Sequence, residues 1–201
     1  KLKRLDEAKA LLKRAQDQGI TGTGLKNLEE KLGSSEIGKE EVQDPPQVEL
    51  GPLVDLYTKG KLEEAIGSVH RLLEKYPRST AVYNVKGAIE MALKNYEQAI
   101  KSYQKALETN KNHPDLYYNL GNALKDLCKL QDAFDSYLKV TQINPSFSNI
   151  YPSLTRFLQD SDISELNKSK LKQILTNVLE RNDVSHKELF KAFNFLYKDE
   201  L

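Results

Sequence analysis

A regular spacing in the middle of the chain constrains the fold more than any other feature of the sequence. Two positions recur at a constant interval: one holds Ala65, Ala99 and Ala133, and the other holds Val69, Tyr103 and Tyr137. A repeat of about 34 residues accommodates two helices, and a single helix pair cannot cover its own apolar faces. Consecutive copies are therefore expected to stack and to bury one another.

The segment from Pro114 to Phe147 shows the helix pair within one copy. Its apolar residues recur with helical period in two stretches, with room only for a tight turn at Asp126–Lys129 between the helices. Pro114 suits the first turn of a helix, where its missing N–H removes no hydrogen bond. Pro145 ends the second helix, because its ring would clash with the carbonyl one turn earlier. The segment predicts two antiparallel helices joined by a tight turn.

The repeated positions resemble those of the tetratricopeptide repeat family. The third copy matches the motif at Tyr117, Leu120, Gly121, Leu124, Ala133, Tyr137 and Pro145, and the second copy at Tyr83, Gly87, Ala99, Tyr103 and Ala106. The first copy keeps Ala65, Leu72 and Pro77 but has Leu53 in place of the glycine. The resemblance implies an all-α fold, a right-handed helical-repeat solenoid of antiparallel helix pairs with a C-terminal capping helical segment.

Four segments follow from the sequence pattern. Residues 1–32 are interpreted as a partial repeat or helical hairpin. Residues 33–46 are interpreted as a linker, because they are poor in apolar residues and end in two prolines. Residues 47–147 hold the three repeats. Residues 148–201 are expected to form capping helices, and capping-box patterns that begin at Asp162 and Ser185 predict where two of them start.

The two ends of the chain lead to an expectation about its origin and location. The chain begins with lysine and with the pattern of a second repeat helix, so we expect a fragment of a longer array. Its last four residues, Lys198–Leu201, spell the lumenal retention signal of eukaryotic cells. The same residues continue an amphipathic helix. We therefore interpret the match as a coincidence of truncation and expect a cytoplasmic protein.

Composition and charge argue against several classes of function. Lysine and arginine total 30 against 29 aspartate and glutamate, so the chain lacks the basic excess of a nucleic-acid binder. No apolar run reaches the length of a membrane span. Cys128 is the single cysteine, which excludes an intrachain disulfide and a thiolate zinc site. The chain has no phosphate loop, nucleophile elbow or metal-binding histidine pair, so we expect no enzyme activity, no cofactor and no metal.

Two residues depart from the repeat pattern in ways that affect stability. Cys128 lies in the turn between two helices, where the family most often has glycine, and a left-handed backbone there would strain a residue with a Cβ. Lys86 stands where the family has leucine. We expect Lys86 to be partly buried and to weaken the second repeat, so that Lys86→Leu would stabilise the chain.

The resemblance also implies where a ligand would bind. In the family, the first helices of the repeats line a concave groove, and their non-core positions contact an extended peptide. Carried over to this sequence, those positions include Tyr57, Asn84, Ala88, Met91, Tyr118, Asn119, Asn122, Lys125 and Asp126. Asparagine suits such a groove because its amide can pair with both polar groups of a peptide backbone. The other interpretation is that these asparagines are only solvated polar positions.

Comparison with particular members of the family narrows the classes of ligand that we expect. Asn119 and Asn122 resemble the asparagines that line the repeat arrays of O-linked N-acetylglucosamine transferases, whereas Asn84 is one place out of phase with them. Chaperone-binding members hold a C-terminal carboxylate with a clamp of basic and amide side chains. Here the clamp positions are occupied by Leu50, Val54, Val85, Asp115 and Asn119, so this clamp is absent.

Three hypotheses for function follow. The first is a protein–protein interaction scaffold that binds an extended peptide or a partner protein in the groove. The second is the substrate-recognition arm of a larger glycosyl-, methyl- or sulfotransferase whose catalytic domain is absent, because the repeats resemble arrays that precede transferase domains in bacterial proteins. The third is a structural spacer or oligomerisation module that self-associates through the aromatic C-terminal helix, which contains Phe190, Phe193, Phe195 and Tyr197.

Overall fold

The computed structural model describes residues 13–15, 44–181 and 186–198. The chain divides into two units, Lys1–Glu41 and Val42–Leu201, and all the elements discussed below belong to the second unit. Apart from residues 13–15, the partial repeat predicted at residues 1–32 lies outside the described residues. Most of the predicted linker and the last three residues of the chain also lie outside them.

Six helices form three consecutive pairs. The pairs are α1 (Gln47–Thr58) with α2 (Leu62–Lys75), α3 (Thr80–Ala92) with α4 (Tyr96–Thr109), and α5 (Pro114–Asp126) with α6 (Leu130–Ile143). The second helices begin at Leu62, Tyr96 and Leu130, so their starts are separated by the same interval as the repeated alanines. The predicted all-α fold of repeated helix pairs is therefore confirmed, with the register that the sequence indicated.

A glycine and a tyrosine allow the two helices of the third repeat to approach closely. A Cβ on Gly121 would lie 2.7 Å from Cε1 of Tyr137, whose ring is buried. The second repeat has the same arrangement at the equivalent positions. The first repeat instead has Leu53 at the glycine position and Val69 at the tyrosine position, both buried. A larger side chain on one helix thus accompanies a smaller one on its partner, which explains why the first repeat can depart from the motif.

The turn between the paired helices contains a residue with left-handed backbone in every repeat. Gly60, Lys94 and Cys128 have φ values of 72°, 59° and 58°. In each case the backbone N–H donates to a carbonyl in the last turn of the first helix, as Cys128 does to Lys125 at 2.9 Å. The conformation expected at Cys128 is present, and Lys94 shares it.

Lys86 has a partner, and this changes the expectation that it weakens the second repeat. Its Nζ donates to Oε1 of Glu90 at 2.6 Å and to Oγ of Ser102 at 2.9 Å. Ser102 in turn donates to Oε2 of Glu90 at 2.6 Å. The third repeat has two buried leucines, Leu120 and Leu124, at the positions of Lys86 and Glu90. The sequence signal for this network was therefore the joint replacement of two leucine positions one helical turn apart.

The segment after the third repeat begins as another first helix and then departs from the pattern. Helix α7 (Ile150–Asp160) follows α6, and α8 (Lys168–Leu179) begins later than the capping box at Asp162 predicts. The carboxylate of Asp162 accepts a hydrogen bond from the backbone of Ser164, only two residues on, which makes a turn rather than a helix start. Asn167 is the residue that caps α8, since its side chain accepts from the backbone N–H of Lys170 at 3.0 Å.

The C-terminal aromatic residues lie on a short helix that covers α7. A 3₁₀ turn (His186–Leu189) leads into α9 (Phe190–Tyr197), and both pack against α7. Ser185, where the second capping box begins, lies outside the described residues. Phe193 and Phe195 pack against the core, whereas the Phe190 side chain is 68% exposed. Part of the aromatic surface proposed for self-association thus contacts the rest of the fold.

The last residues of the predicted linker are attached to the repeats. The carboxylate of Asp44 accepts hydrogen bonds from Oγ of Ser79 at 2.5 Å and from the backbone N–H of Ala81 at 2.9 Å. Pro45 is buried. In the part of the chain that the structure describes, no helix has the length and apolar character needed to cross a membrane.

Candidate functional site

The first helices of the repeats form the face on which the groove is predicted. Helix α1 contacts α3, and α3 contacts α5. The face formed by α1, α3, α5 and α7 is called the groove from here on. The predicted residues Tyr57, Ala88 and Met91 are half-buried on α1 and α3. Tyr57 and Met91 pack partly against the two apolar cores, so they contribute to the wall of the groove more than to its polar contacts.

Two predicted asparagines from neighbouring repeats are hydrogen-bonded to each other. Nδ2 of Asn119 on α5 donates to Oδ1 of Asn84 on α3 at 3.0 Å, and both side chains are half-buried. The offset of one position in sequence therefore places Asn84 next to Asn119. This bond leaves both N–H groups of Asn84 and the Oδ1 of Asn119 for other partners. One donor beside one acceptor is the complement of a single peptide unit.

The third predicted asparagine is oriented by a tyrosine below it. The hydroxyl of Tyr137 donates to Oδ1 of Asn122 at 2.8 Å. Burial raises the pKa of Tyr137 above its ordinary value, and the nearby Tyr118 and Asp126 act in the same direction, so the hydroxyl keeps its proton. Because its oxygen is engaged, Asn122 presents its amide N–H groups as hydrogen-bond donors.

Tyr118 connects the third repeat to the segment that follows it. Its hydroxyl lies 2.9 Å from Oγ of Ser153 on α7, and either oxygen can donate in this bond. The Tyr118 ring lies against Phe147, with centroids 5.5 Å apart, and against Tyr137, with centroids 6.2 Å apart. The groove therefore continues from α5 onto α7.

A cavity of about 160 Å³ lies in the groove between α5 and α7. The predicted residues Tyr118, Asn122 and Lys125 line it from α5, and Ser153, Arg156 and Asp160 line it from α7. Sequence reasoning missed the three residues on α7. The signal was present, since Arg156 and Asp160 follow Asn122 and Asp126 by one repeat interval, but the repeat register was not continued past residue 147.

The remaining charged residues of the predicted site pair with each other. Nζ of Lys125 lies 3.4 Å from Oδ1 of Asp126, and both side chains are partly exposed. Pairs of this kind contribute little to stability because water and salt screen them. Within the described residues, no group of three or more histidine, cysteine, aspartate or glutamate side chains is placed to hold a metal ion.

A larger cavity, about 630 Å³, lies away from the groove between α6 and α8. It is crossed by an ion pair in which Nζ of Lys170 lies 2.7 Å from Oδ1 of Asp135. None of the predicted groove residues lines it. By size alone, this cavity would be the better candidate for a binding site. The aligned amide donors and acceptors lie in the groove, however, and for that reason we take the groove as the candidate site.

Family models and solved structures agree with this fold. A model described as TPR repeat matches residues 87–127, and one described as tetratricopeptide repeat matches residues 114–147. The structure of YrrB, a TPR protein with an unusual peptide-binding site, superposes with a TM-score of 0.61 at 18% identity over 83% of this chain and 83% of YrrB.

Two TPR domains of the protein RPAP3 also share the fold. The first, from Spaghetti (RPAP3) with a bound HSP90 peptide, has a TM-score of 0.53 at 21% identity, over 56% of this chain and 89% of that domain. The second, from human RPAP3 with an HSP70 peptide, has a TM-score of 0.51 at 19% identity, over 54% of this chain and 91% of that domain. A comparison with curated proteins finds no match. The helix pairs, their register and the two family models together identify the chain as a tetratricopeptide repeat protein.

Proposed function

We propose that the chain is a non-catalytic protein-interaction scaffold that binds an extended peptide along the groove. The observation that carries this proposal is the hydrogen bond between Asn119 and Asn84, which joins two neighbouring first helices through their side-chain amides. The pair offers N–H donors beside an acceptor oxygen to a ligand at the same place. A peptide backbone has the matching groups in every residue except proline, so such a site binds an extended segment largely independently of its sequence.

The spacing of the helices suits an extended ligand. Packed helices lie about 8–10 Å apart, and an extended chain advances about 3.3 Å per residue. A peptide that crosses the groove therefore meets a new first helix about every third residue. In this arrangement the amide pair holds the backbone at α3 and α5, and the donors of Asn122 hold a carbonyl further along α5. The half-buried Tyr57 and Met91 supply apolar contact on the α1 and α3 side.

Peptide ligands of structurally similar proteins support the kind of partner proposed. The RPAP3 domains are bound to peptides of HSP90 and HSP70, and YrrB has a peptide-binding site. The proposal does not extend to a chaperone tail held by a carboxylate clamp, because the clamp positions include Val85 and Asp115 here. An arm of a larger transferase would use the same groove, so a test of the groove bears on that hypothesis too.

The test is the effect of Asn119→Ala on peptide affinity. Peptides selected from a random display library on the parent chain would be synthesised and titrated by calorimetry. Loss of Asn119 removes an acceptor and frees its partner, Asn84. Leaving a buried peptide group unpaired costs about 1–3 kcal/mol, so affinity should fall roughly tenfold or more.

The matched control is Asn177→Ala on α8, which changes an asparagine outside the groove. It should leave the affinity unchanged, and circular dichroism should show that both variants keep their helices. Equal affinities of the parent and Asn119→Ala would contradict the proposed groove. An equal loss in both variants would also contradict it.

A further inference from the structure

The cavity between α5 and α7 is placed to receive a side chain of a bound peptide. It adjoins Asn122, and its volume of about 160 Å³ is small enough for one side chain. Tyr137 and Phe157 form its floor, with their rings buried and their centroids 5.6 Å apart. An apolar floor suits the methylene groups of a side chain.

The polar groups around this floor are mainly hydrogen-bond donors. Asn122 presents its N–H groups, because its oxygen already accepts from Tyr137. The hydroxyls of Tyr118 and Ser153 share one bond, which uses one of their two protons. Arg156 is exposed, and its guanidinium makes no hydrogen bond or ion pair with any residue that the structure describes, so all five of its N–H donors are available.

Among the charged groups at the rim of the cavity, Arg156 is the one that determines the charge of the ligand side chain. Lys125 lies 3.4 Å from Asp126, and these two charges largely cancel. Asp160, one turn after Arg156 on α7, is the carboxylate among the lining residues. A basic ligand side chain would find Asp160 as its anionic partner but would face Arg156 and the donors of Asn122. A carboxylate would instead accept from both, and the planar guanidinium can bind it with two parallel hydrogen bonds.

Arg156 occupies a groove position whose chemistry changes from one repeat to the next. Such a change favours binding of a ligand in one direction along the groove. Successive repeat intervals relate Val54, Ala88, Asn122 and Arg156, so the same groove position is apolar in the first two repeats, an amide in the third and a cation on α7. One of the clamp positions of chaperone-binding members, Val54, belongs to this series, and the other four, Leu50, Val85, Asp115 and Asn119, lie elsewhere. The groove thus has a distinct chemistry at its α7 end.

We propose that the cavity between α5 and α7 is a subsite for a carboxylate of the bound peptide, held by Arg156 and Asn122. An aspartate or glutamate side chain, or the C-terminal carboxylate of the peptide, can supply this group. The proposal rests on the proposed function and adds a preference to it: the ligand has an acidic group where it crosses α7.

The experiment uses the display-selected peptides as probes, each made with a free and with an amidated C-terminus. In each peptide, every acidic residue is exchanged singly for its amide. One exchange, or amidation, should weaken binding to the parent roughly tenfold, because a charge-assisted pair is lost. The same change should alter binding to Arg156→Gln less than about twofold. Loss on amidation identifies the chain terminus as the source, and loss on Glu→Gln or Asp→Asn identifies a side chain.

A second variant separates an anion subsite from a cation subsite. Asp160→Asn removes the negative charge beside Arg156 and should tighten binding of the acidic peptide. The control Arg78→Gln, an exposed arginine outside the cavity, should leave affinity unchanged. Weaker binding of the acidic peptide to Asp160→Asn, or selected peptides that bind equally well with and without their carboxylates, would overturn the subsite.

The two proposals fail in different ways. If peptides lose affinity on Asn119→Ala but show no dependence on a carboxylate, the subsite is overturned and the groove stands. If Asn119→Ala binds every selected peptide as well as the parent does, the proposed function is overturned and the subsite with it.

Discussion

At the scale of single residues, two of the three turn positions show how backbone conformation and residue type can disagree. Gly60, Lys94 and Cys128 have φ between 58° and 72°, where glycine has no steric penalty and other residues do. The left-handed conformation costs a residue with a Cβ about 1–2 kcal/mol. The second and third repeats keep the turn despite this cost, because the helices on either side determine where the chain must reverse.

Cys128→Gly is therefore expected to stabilise the chain. Relief of the strain is partly offset by the greater freedom of glycine in the unfolded state, so the free energy of unfolding should rise by about 0.5–1 kcal/mol. Chemical denaturation monitored by circular dichroism measures the change. Cys128→Ala is the control, since it removes the thiol and keeps the Cβ, and it should change little. A midpoint that stays the same or falls for Cys128→Gly would show that the turn is not strained.

At the scale of helices, the repeats tolerate substitutions that occur in matched pairs. Gly121 with Tyr137 fills the same space between two helices as Leu53 with Val69. A polar network built on Lys86 likewise replaces a pair of leucines of the third repeat. In both cases the effect of the residue at one position depends on which residue occupies the other position. The sequence position alone therefore does not determine the sign of the effect of a single substitution.

Lys86→Leu is expected to destabilise the second repeat, contrary to the expectation from the sequence. The side chain of Glu90 is 13% exposed, and without Lys86 its carboxylate keeps only Ser102 as a partner. Removing one partner of a buried ion pair costs about 3–5 kcal/mol, whereas full burial of a leucine side chain contributes about 1.5–3 kcal/mol. Thermal melting should show a lower midpoint.

The double variant Lys86→Leu with Glu90→Leu is the matched control. It reproduces the two leucines of the third repeat, Leu120 and Leu124, and should recover the stability of the parent or exceed it. Ser102 can then donate to its own helix, as Ser136 does to the carbonyl of Asp132 at 2.8 Å. A single variant that melts no lower than the parent would show that the network adds no stability.

At the scale of the whole repeat region, burial of tyrosines makes stability depend on alkaline pH. Burial raises the pKa of both Tyr103 and Tyr137 above the ordinary value of about 10. The unfolded chain ionises at about pH 10, while the folded chain keeps these protons. The stabilisation from each tyrosine is thus fully present below about pH 10 and is lost as pH rises toward the raised folded value.

Tyr103→Phe tests this dependence because phenylalanine cannot ionise. The decrease in unfolding free energy between about pH 9 and about pH 11 should be smaller in the variant by about 1 kcal/mol. Urea denaturation at each pH measures it. Titration of lysines affects the parent and the variant alike, so the comparison cancels that contribution. Equal pH slopes in the two proteins would contradict the assignment.

The sequence by itself determined the six helices of the repeats and their register, and the family resemblance indicated the face that we call the groove. These features depend on local periodicity and on residues that start or end helices, and the constant repeat interval carries them from one repeat to the next. The buried alanines Ala65, Ala99 and Ala133 and the close approach at Gly121 follow from that register. Asn119 and Asn122 could be placed on the groove for the same reason.

Only the tertiary structure decided which side chains in neighbouring helices meet. The bond between Asn119 and Asn84 depends on the angle at which α5 packs against α3, and it joins residues whose separation is one position longer than the repeat interval. The partners of Lys86 and the place of Arg156 beside Asn122 depend likewise on packing between helices. Local sequence encodes the direction in which a side chain leaves its own helix, but the distance to a side chain on another helix is set by how the two helices pack.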